Sequence, residues 1–244
     1  MRIPRFHTIH RLATGEQITL EEEPSHHLRQ VLRLRAGDEI ILFGNEGDEY
    51  AATLTRVLKQ GADAAIGEKL RHETKAALSI HLLIGLSRGE RMDFALQKAT
   101  ELGVTRITPT ISKRCVVRLD EKKRASRVAH WRKVVINACE QSGRCRLPLI
   151  DEPQEIQAAI TQQNSELALL LDHRTSRSLA QIPPPQSSVS ILIGPEGGLT
   201  PEERDLAVQH GFQGLRLGPR IMRTETAPLA TIAAIQTLWG DFRT

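Results

Sequence analysis

The chain has 244 residues, enough for one large domain or two modest ones with a real core. Lys and Arg number 33 against 29 Asp and Glu, and the formal charge of +4 permits a nucleic-acid partner without demonstrating one. Aromatic residues make up only 3%, which argues against a broad stacking platform for single strands. The three cysteines, Cys115, Cys139 and Cys145, are odd in number and match no zinc spacing. They read as reduced thiols of an intracellular protein, and no metal site is expected. The opening "MRIPRFHTIHR" lacks the apolar run of a signal peptide, and no stretch approaches membrane-spanning length. A soluble, cytoplasmic protein is expected.

In chain order, "GEQITL" (15–20) opens a pattern of short strands, and "PSHHLRQVLRL" (24–34) reads as a short helix after proline. Strands follow at 37–44, 49–58 and 62–70, separated by turn residues. Short strands with one small helix suggest a compact barrel. "RHETKAA" (71–77) is the candidate linker. From Leu78 strands alternate with helices. Strands are expected at 78–86, 104–111, 165–172, 189–194 and 212–218, and helices at 89–103, 120–143, 152–160, 200–211 and 226–240. Thr200, Pro201 and Glu203 form a helix-capping signature. Strands this apolar, interleaved with helices, describe a mostly parallel α/β sheet covered on both faces.

In such sheets ligands gather at the carboxyl ends of strands. Four expected strand ends carry polar or glycine-rich turns: "SRGER" (87–91), "LLDHRTSR" (170–177), "GPEGGLTP" (194–201) and "GPRIMRTETA" (218–227). The third has the glycines of a phosphate loop but no lysine or serine at the required spacing, and Glu196 would set a carboxylate where a pyrophosphate should lie. Alone, it is a tight turn before a capped helix. The fourth places Arg220, Arg223, Thr224, Glu225 and Thr226 within seven residues. Together the two turns can enclose an uncharged base, read by its edges, between peptide groups and apolar side chains.

The stretches "ELGVTRITPTISKR", "INACEQSGR", "GPEGGLTPEE" and "LGPRIMRTETA" resemble, in order and over nearly the whole chain, the bacterial ribosomal RNA uridine N3-methyltransferases, a family of the SPOUT methyltransferases. The usual family residue at Met222 is leucine, a substitution of similar size. The resemblance implies a small PUA-like RNA-binding β-barrel over 1–73. It implies an α/β SPOUT domain over 74–244, with a mostly parallel sheet tied in a deep trefoil knot. Without the resemblance an unknotted sheet is expected. It also implies a homodimer, the cofactor S-adenosylmethionine, and a substrate uridine of 16S ribosomal RNA in the small subunit.

Carried residue by residue, the resemblance sets Gly194, Pro195, Glu196, Gly197, Gly198, Leu217, Gly218, Ile221, Met222, Thr226 and Ala227 around the cofactor, with apolar contact from Leu170, Leu171 and Leu199. Glu196 bonds ribose hydroxyls, fixes the turn, or is a surface carboxylate. Arg223 and Glu225 lie nearest the chemistry or form a pair that pins the turn. An arginine keeps its proton, so Arg223 suits charge stabilisation and Glu225 proton acceptance. Arg29, Arg33, Arg35, Arg88, Arg91, Lys113, Arg114, Arg118 and Arg144 are candidate RNA contacts. Glu140 and Gln141 meet either the target base or the partner subunit. A non-catalytic RNA-binding factor and a ribose methyltransferase on the same fold are the rival readings.

Overall fold

The first five strands run from three to twelve residues. These are β1 (Arg5–His7), β2 (Gln17–Leu20), β3 (Glu39–Phe43), β4 (Asp48–Leu58) and β5 (Gly61–His72), in the order β1-β3-β4-β5-β2. The computed structural model describes residues 3–59, 61–117 and 121–243. All neighbouring pairs in this sheet are antiparallel except β1 with β3. Phe6, Leu20, Leu42, Leu54 and Ala64 share one core with Leu28 from the π-turn that continues α1 (Glu22–His26). Every strand contributes to that core. Its ladder ends at β1 and β2, so the region of the expected barrel holds one five-stranded sheet.

Arg33 adopts the left-handed conformation, φ 57°, as Leu34 N–H returns to the Leu28 carbonyl at 2.9 Å, closing the helical turn. β5 runs to His72, so strand structure takes the first two residues of the expected linker. β1 was not anticipated, because three residues are too few to show a period.

The chain divides into two units, Met1–Lys75 with Cys139–Leu147, and Ala76–Ala138 with Pro148–Thr244. The return of Cys139–Leu147 to the first unit has an electrostatic basis. Glu49 is buried and pairs with Arg5 at 2.7 Å and with Arg71 at 3.2 Å. Burial alone would raise the Glu49 carboxyl, but the Arg71 hydrogen bond and the Arg5 charge hold it below the ordinary carboxylate range. The Cys145 thiol donates to the same carboxylate at 3.3 Å. Burial and then Glu49 push that thiol up to about 11, so it remains a neutral donor. Arg71 also donates to the Gly143 carbonyl, and the Cys145 N–H donates to Glu73. Nearby, Glu140 accepts the His7 N–H at 3.0 Å, and burial pushes its carboxyl up to about 7.

The second unit holds a parallel sheet. Its strands are β6 (Ser79–Gly85), β7 (Arg106–Ile111), β8 (Leu149–Ile150), β9 (Gln154–Glu155), β10 (Leu167–Leu171), β11 (Ser188–Ile193) and β12 (Phe212–Leu215). The order is β12-β10-β11-β6-β7-β8, with β9 also on β7, and every described pair is parallel. The helices are α2 (Gly89–Glu101), α3 (Glu121–Ser142), α4 (Ile156–Gln162), α5 (Pro201–Gln209) and α6 (Thr226–Trp239). Leu83, Ile160, Leu170, Leu192 and Phe212 are buried together, as both-face burial requires of strands this apolar. The two-residue strands β8 and β9 are too short to read from sequence. Because β9 uses Gln154 and Glu155, α4 begins at Ile156 instead of at 152.

The expected cap of α5 forms. Thr200 Oγ1 accepts the Glu203 N–H at 3.3 Å, and Glu203 Oε2 accepts the Thr200 N–H at 2.8 Å. The other Glu203 oxygen accepts the Lys113 N–H at 2.8 Å, tying the α5 start to the segment after β7. Between β11 and β6 a closer constraint operates. A Cβ on Gly85 would lie 2.3 Å from Pro195 N and 2.8 Å from Gly194 C. Only glycine at the end of β6 lets the turn after β11 pass there. Among the described residues, no helix is long and apolar enough to cross a membrane.

Gly85→Ala forces backbone apart, and a loss of about 1–3 kcal/mol or more is expected, read from the denaturant midpoint; an unchanged midpoint contradicts the close passage. Glu140 gives a pH signature. Its folded pKa lies above its ordinary value of 4.5, so its stabilising contribution is full below that value and is lost as pH rises through about 7. His7, lowered chiefly by burial, works in the opposite sense, contributing above 6.5 and losing that contribution as pH falls. Glu140→Gln keeps an acceptor for the His7 N–H and removes only the carboxyl titration. Relative to the parent, the variant is expected to gain about 1–3 kcal/mol between pH 5 and pH 8 in urea unfolding.

Candidate functional site

Three neighbouring strand ends in the second unit, those of β10, β11 and β12, open into one cavity of about 630 Å³. That lies within the ~300–1,000 Å³ usual for small-molecule sites. The β11 turn is closed by Gly198 N–H to Pro195 O at 2.8 Å, with Gly198 at φ 67°. Gly197 packs so that an added Cβ would lie 3.0 Å from Arg114 Cβ, and Arg114 donates to the Gly197 carbonyl at 3.2 Å. Arg204 fixes the next residue, donating to Leu199 O at 2.8 Å.

The β12 turn is braced in the same way. Arg216 Nε donates to Gly218 O at 3.0 Å, and the N–H groups of Thr226 and Ala227 both reach Arg223 O at 2.9 Å, which starts α6. The β10 end supplies Asp172, whose N–H stays bonded to Leu215 O at 2.9 Å. Its carboxylate faces Arg204 at 3.6 Å and Arg174 at 3.7 Å.

Of the residues expected around a cofactor, Leu170, Leu171, Gly194, Pro195, Glu196, Gly197, Gly198, Leu199, Leu217, Gly218, Ile221, Met222 and Ala227 line this cavity. Thr226 is not on its wall: at the first position of α6 its side chain is exposed, whereas the neighbouring Ala227 is buried against the cavity. Leu170 and Leu199 join the cavity to the core, whereas Ile221 is 77% exposed at the rim. Glu196 meets Arg91 at 3.4 Å. Arg223 and Glu225 also line the cavity, Arg223 Nη1 standing 4.0 Å from Glu225 Oε1. The Arg223 side chain is 78% exposed and that of Glu225 16%. Glu225 Oε2 is buried without a hydrogen-bond partner. A buried acceptor left unpaired costs about 1–3 kcal/mol, and such a group invites a donor from a ligand.

Sequence reasoning did not select Asp172, Arg174, Arg204, Arg216 or Thr224 for this wall. Asp172, Arg174 and Thr224 stood in noted turns, but Arg204 lies within α5 and only packing reveals its reach to Leu199. The candidate RNA contacts scatter. Arg91 and Arg114 line the main cavity, and Arg88 lines a smaller one. Lys113 enters the α5 cap through its backbone. Arg29, Arg33, Arg35, Glu140, Gln141 and Arg144 belong to the first unit. Arg118 lies outside the described residues. Among the described residues no cluster of His, Cys, Asp and Glu could hold a metal ion.

Comparison with known proteins agrees with this geometry. The RNA methyltransferase domain family matches residues 74–236, and the RNA methyltransferase PUA domain matches residues 20–66. Ribosomal RNA small subunit methyltransferase E of Buchnera aphidicola (from Schizaphis graminum) is 32% identical, over 98% of this chain and 98% of its own length. That of Bacillus subtilis is 31% identical, over 93% and 91%. The crystal structure of ribosomal RNA small subunit methyltransferase E from Neisseria gonorrhoeae, bound to S-adenosyl methionine, superimposes with a TM-score of 0.92 at 42% identity, covering 99% of this chain and 100% of that one. A mostly antiparallel sheet in a PUA match, a parallel sheet with a cavity at its strand ends, and these relatives have one reading: the chain belongs to the ribosomal RNA small subunit methyltransferase E family of RNA methyltransferases.

Proposed function

We propose that this enzyme methylates N3 of a uridine in 16S ribosomal RNA, with S-adenosylmethionine as the methyl donor. The observation that carries the catalytic part is the unpartnered, buried Glu225 oxygen on the cavity wall beside the Arg223 guanidinium. The cavity's chemistry fits the donor. Its walls are apolar side chains and two peptide turns, and a carboxylate, Glu196, stands where a phosphate chain would be repelled. The Neisseria relative was solved with the same molecule bound.

When bound, the donor supplies an electrophilic methyl group and leaves as a neutral thioether. The protein's work is alignment, exclusion of water and proton handling. In this reading the turns at Gly194–Gly198 and Leu217–Met222 hold the adenosine and methionyl parts through main-chain groups. Leu170, Leu171 and Leu199 pack against them, with Ala227 at the start of α6. Uridine N3 carries its proton at neutral pH. Glu225 Oε2 accepts that proton as N3 forms its bond to carbon. Arg223, too basic to accept it, stabilises the charge that develops on the adjacent carbonyl oxygen.

The same reading assigns residues 1–73 to a PUA-like RNA-binding domain and 74–244 to a SPOUT domain with a deep trefoil knot. It includes a homodimer, a site in the cytoplasm, and RNA held in the small ribosomal subunit. The partly exposed apolar side of α6, with Leu238 at 43%, supports a subunit contact. Arg88, Arg91, Lys113, Arg114, Arg118 and Arg144, with Arg29, Arg33 and Arg35, are proposed for RNA phosphates. Glu140 and Gln141 are proposed for the target base or the partner subunit.

Two measurements test this. Small-subunit RNA from a deletion strain should lack 3-methyluridine by nucleoside mass analysis and regain it on complementation. Persistence of the nucleoside, or a missing ribose methyl group in its place, overturns the reading. In vitro, Arg223→Ala and Glu225→Gln should each lower kcat by roughly 10²–10³-fold while donor affinity is kept. Unchanged turnover would mean that the pair only pins the turn.

A further inference from the structure

A second, smaller cavity of about 220 Å³ lies between the end of β6, the first turn of α2 and the middle of α3. Its floor is apolar, with Leu86 and Met92 each 1% exposed. Trp131 lines it at 3% exposure, and its Nε1, a donor only, has no hydrogen-bond partner. A buried N–H of this kind is rare unless something supplies an acceptor. At the mouth stand Arg88 and Arg127, both exposed and, among the described residues, held in no ion pair. Arg88 immediately precedes α2, whose first N–H groups add positive potential. The acids of α2 nearest to Arg88 are Glu90, in the first turn, and Asp93; neither is part of the lining, and Asp93 is bonded to His130 at 2.8 Å.

The polar side chains are thus an indole donor set deep on an apolar floor, the buried Ser87 hydroxyl, which donates to the Gly85 carbonyl at 3.5 Å, and two cations at the rim. A nucleotide matches that order: a flat base with carbonyl acceptors, joined to a phosphate. We propose that this cavity is a nucleotide subsite for the RNA strand, separate from the methyl-donor cavity. Trp131 Nε1 donates to a base carbonyl, and Arg88 and Arg127 hold the adjoining phosphate. A guanidinium pair suits phosphate oxygens, and a buried donor rejects a base edge that offers only N–H groups. The inference rests on the reading of the chain as an RNA-modifying enzyme.

The chain has two tryptophans, so its amide spectrum carries two indole N–H signals, and Trp239→Phe assigns them. Titration of the full chain with uridine 5′-monophosphate should move the Trp131 signal saturably and leave the Trp239 signal in place. The double variant Arg88→Ala/Arg127→Ala should weaken that response at least tenfold, with the remaining amide spectrum reporting an intact fold. No movement overturns the subsite. So does an equal movement with inorganic phosphate alone, which would make it an anion site without base recognition, or an unweakened response in the double variant. Binding of S-adenosylmethionine, followed by calorimetry on the same sample, reports separately on the methyl-donor reading.

Discussion

The close passage of the β11 turn over Gly85 is the constraint on which the cavity depends. β11 lies between β10 and β6, and its turn leaves the sheet against the last residue of β6. Any side chain there would displace Gly194 and Pro195. The turn would then lose its position beside the ends of β10 and β12, which complete the wall. Backbone proximity therefore sets where this turn lies. That suits a ligand recognised along its edges by peptide groups.

Arginine has two roles around this site. Arg114, Arg204 and Arg216 are turned inward to carbonyl oxygens of the turns and brace them. Arg223 is turned outward, mostly exposed, with a carboxylate neighbour too far for a tight hydrogen bond. The bracing arginines make a preorganised wall, and the outward one is left available to a substrate. The first unit solves a different problem with the same residue. There Arg5 and Arg71 compensate the buried Glu49, and Cys145 completes the set. Removing one partner of such a buried group costs more than the pair contributes, so the cluster ties Cys139–Leu147 to that unit.

Much of the second unit was legible because each of its long elements shows its own period or cap. The capping pair Thr200 and Glu203 is the clearest case, and the apolar runs of β6, β10 and β11 mark strands buried on both faces. The turns of the site were legible from glycine, proline and the arginine–threonine–glutamate cluster. Short-range pattern could not reveal β1, β8 or β9, nor the grouping of Cys139–Leu147 with the first unit, which depends on hydrogen bonds between distant residues. Trp131 is a further case of what pattern cannot reveal. The residue does occupy the buried side of α3, but its unpaired N–H and the space before it appear only in three dimensions.

The central claim is that the cavity between the two turns receives S-adenosylmethionine. A non-catalytic RNA-binding factor on the same fold would keep the sheet and leave the pocket without that ligand. Isothermal titration of the full chain with S-adenosylmethionine decides between them. The account predicts saturable binding of one molecule per chain, weakened when Gly197 is replaced by valine, whose side chain would meet Arg114. Absence of saturable heat from a folded sample, or binding indifferent to the Gly197 replacement, would contradict it.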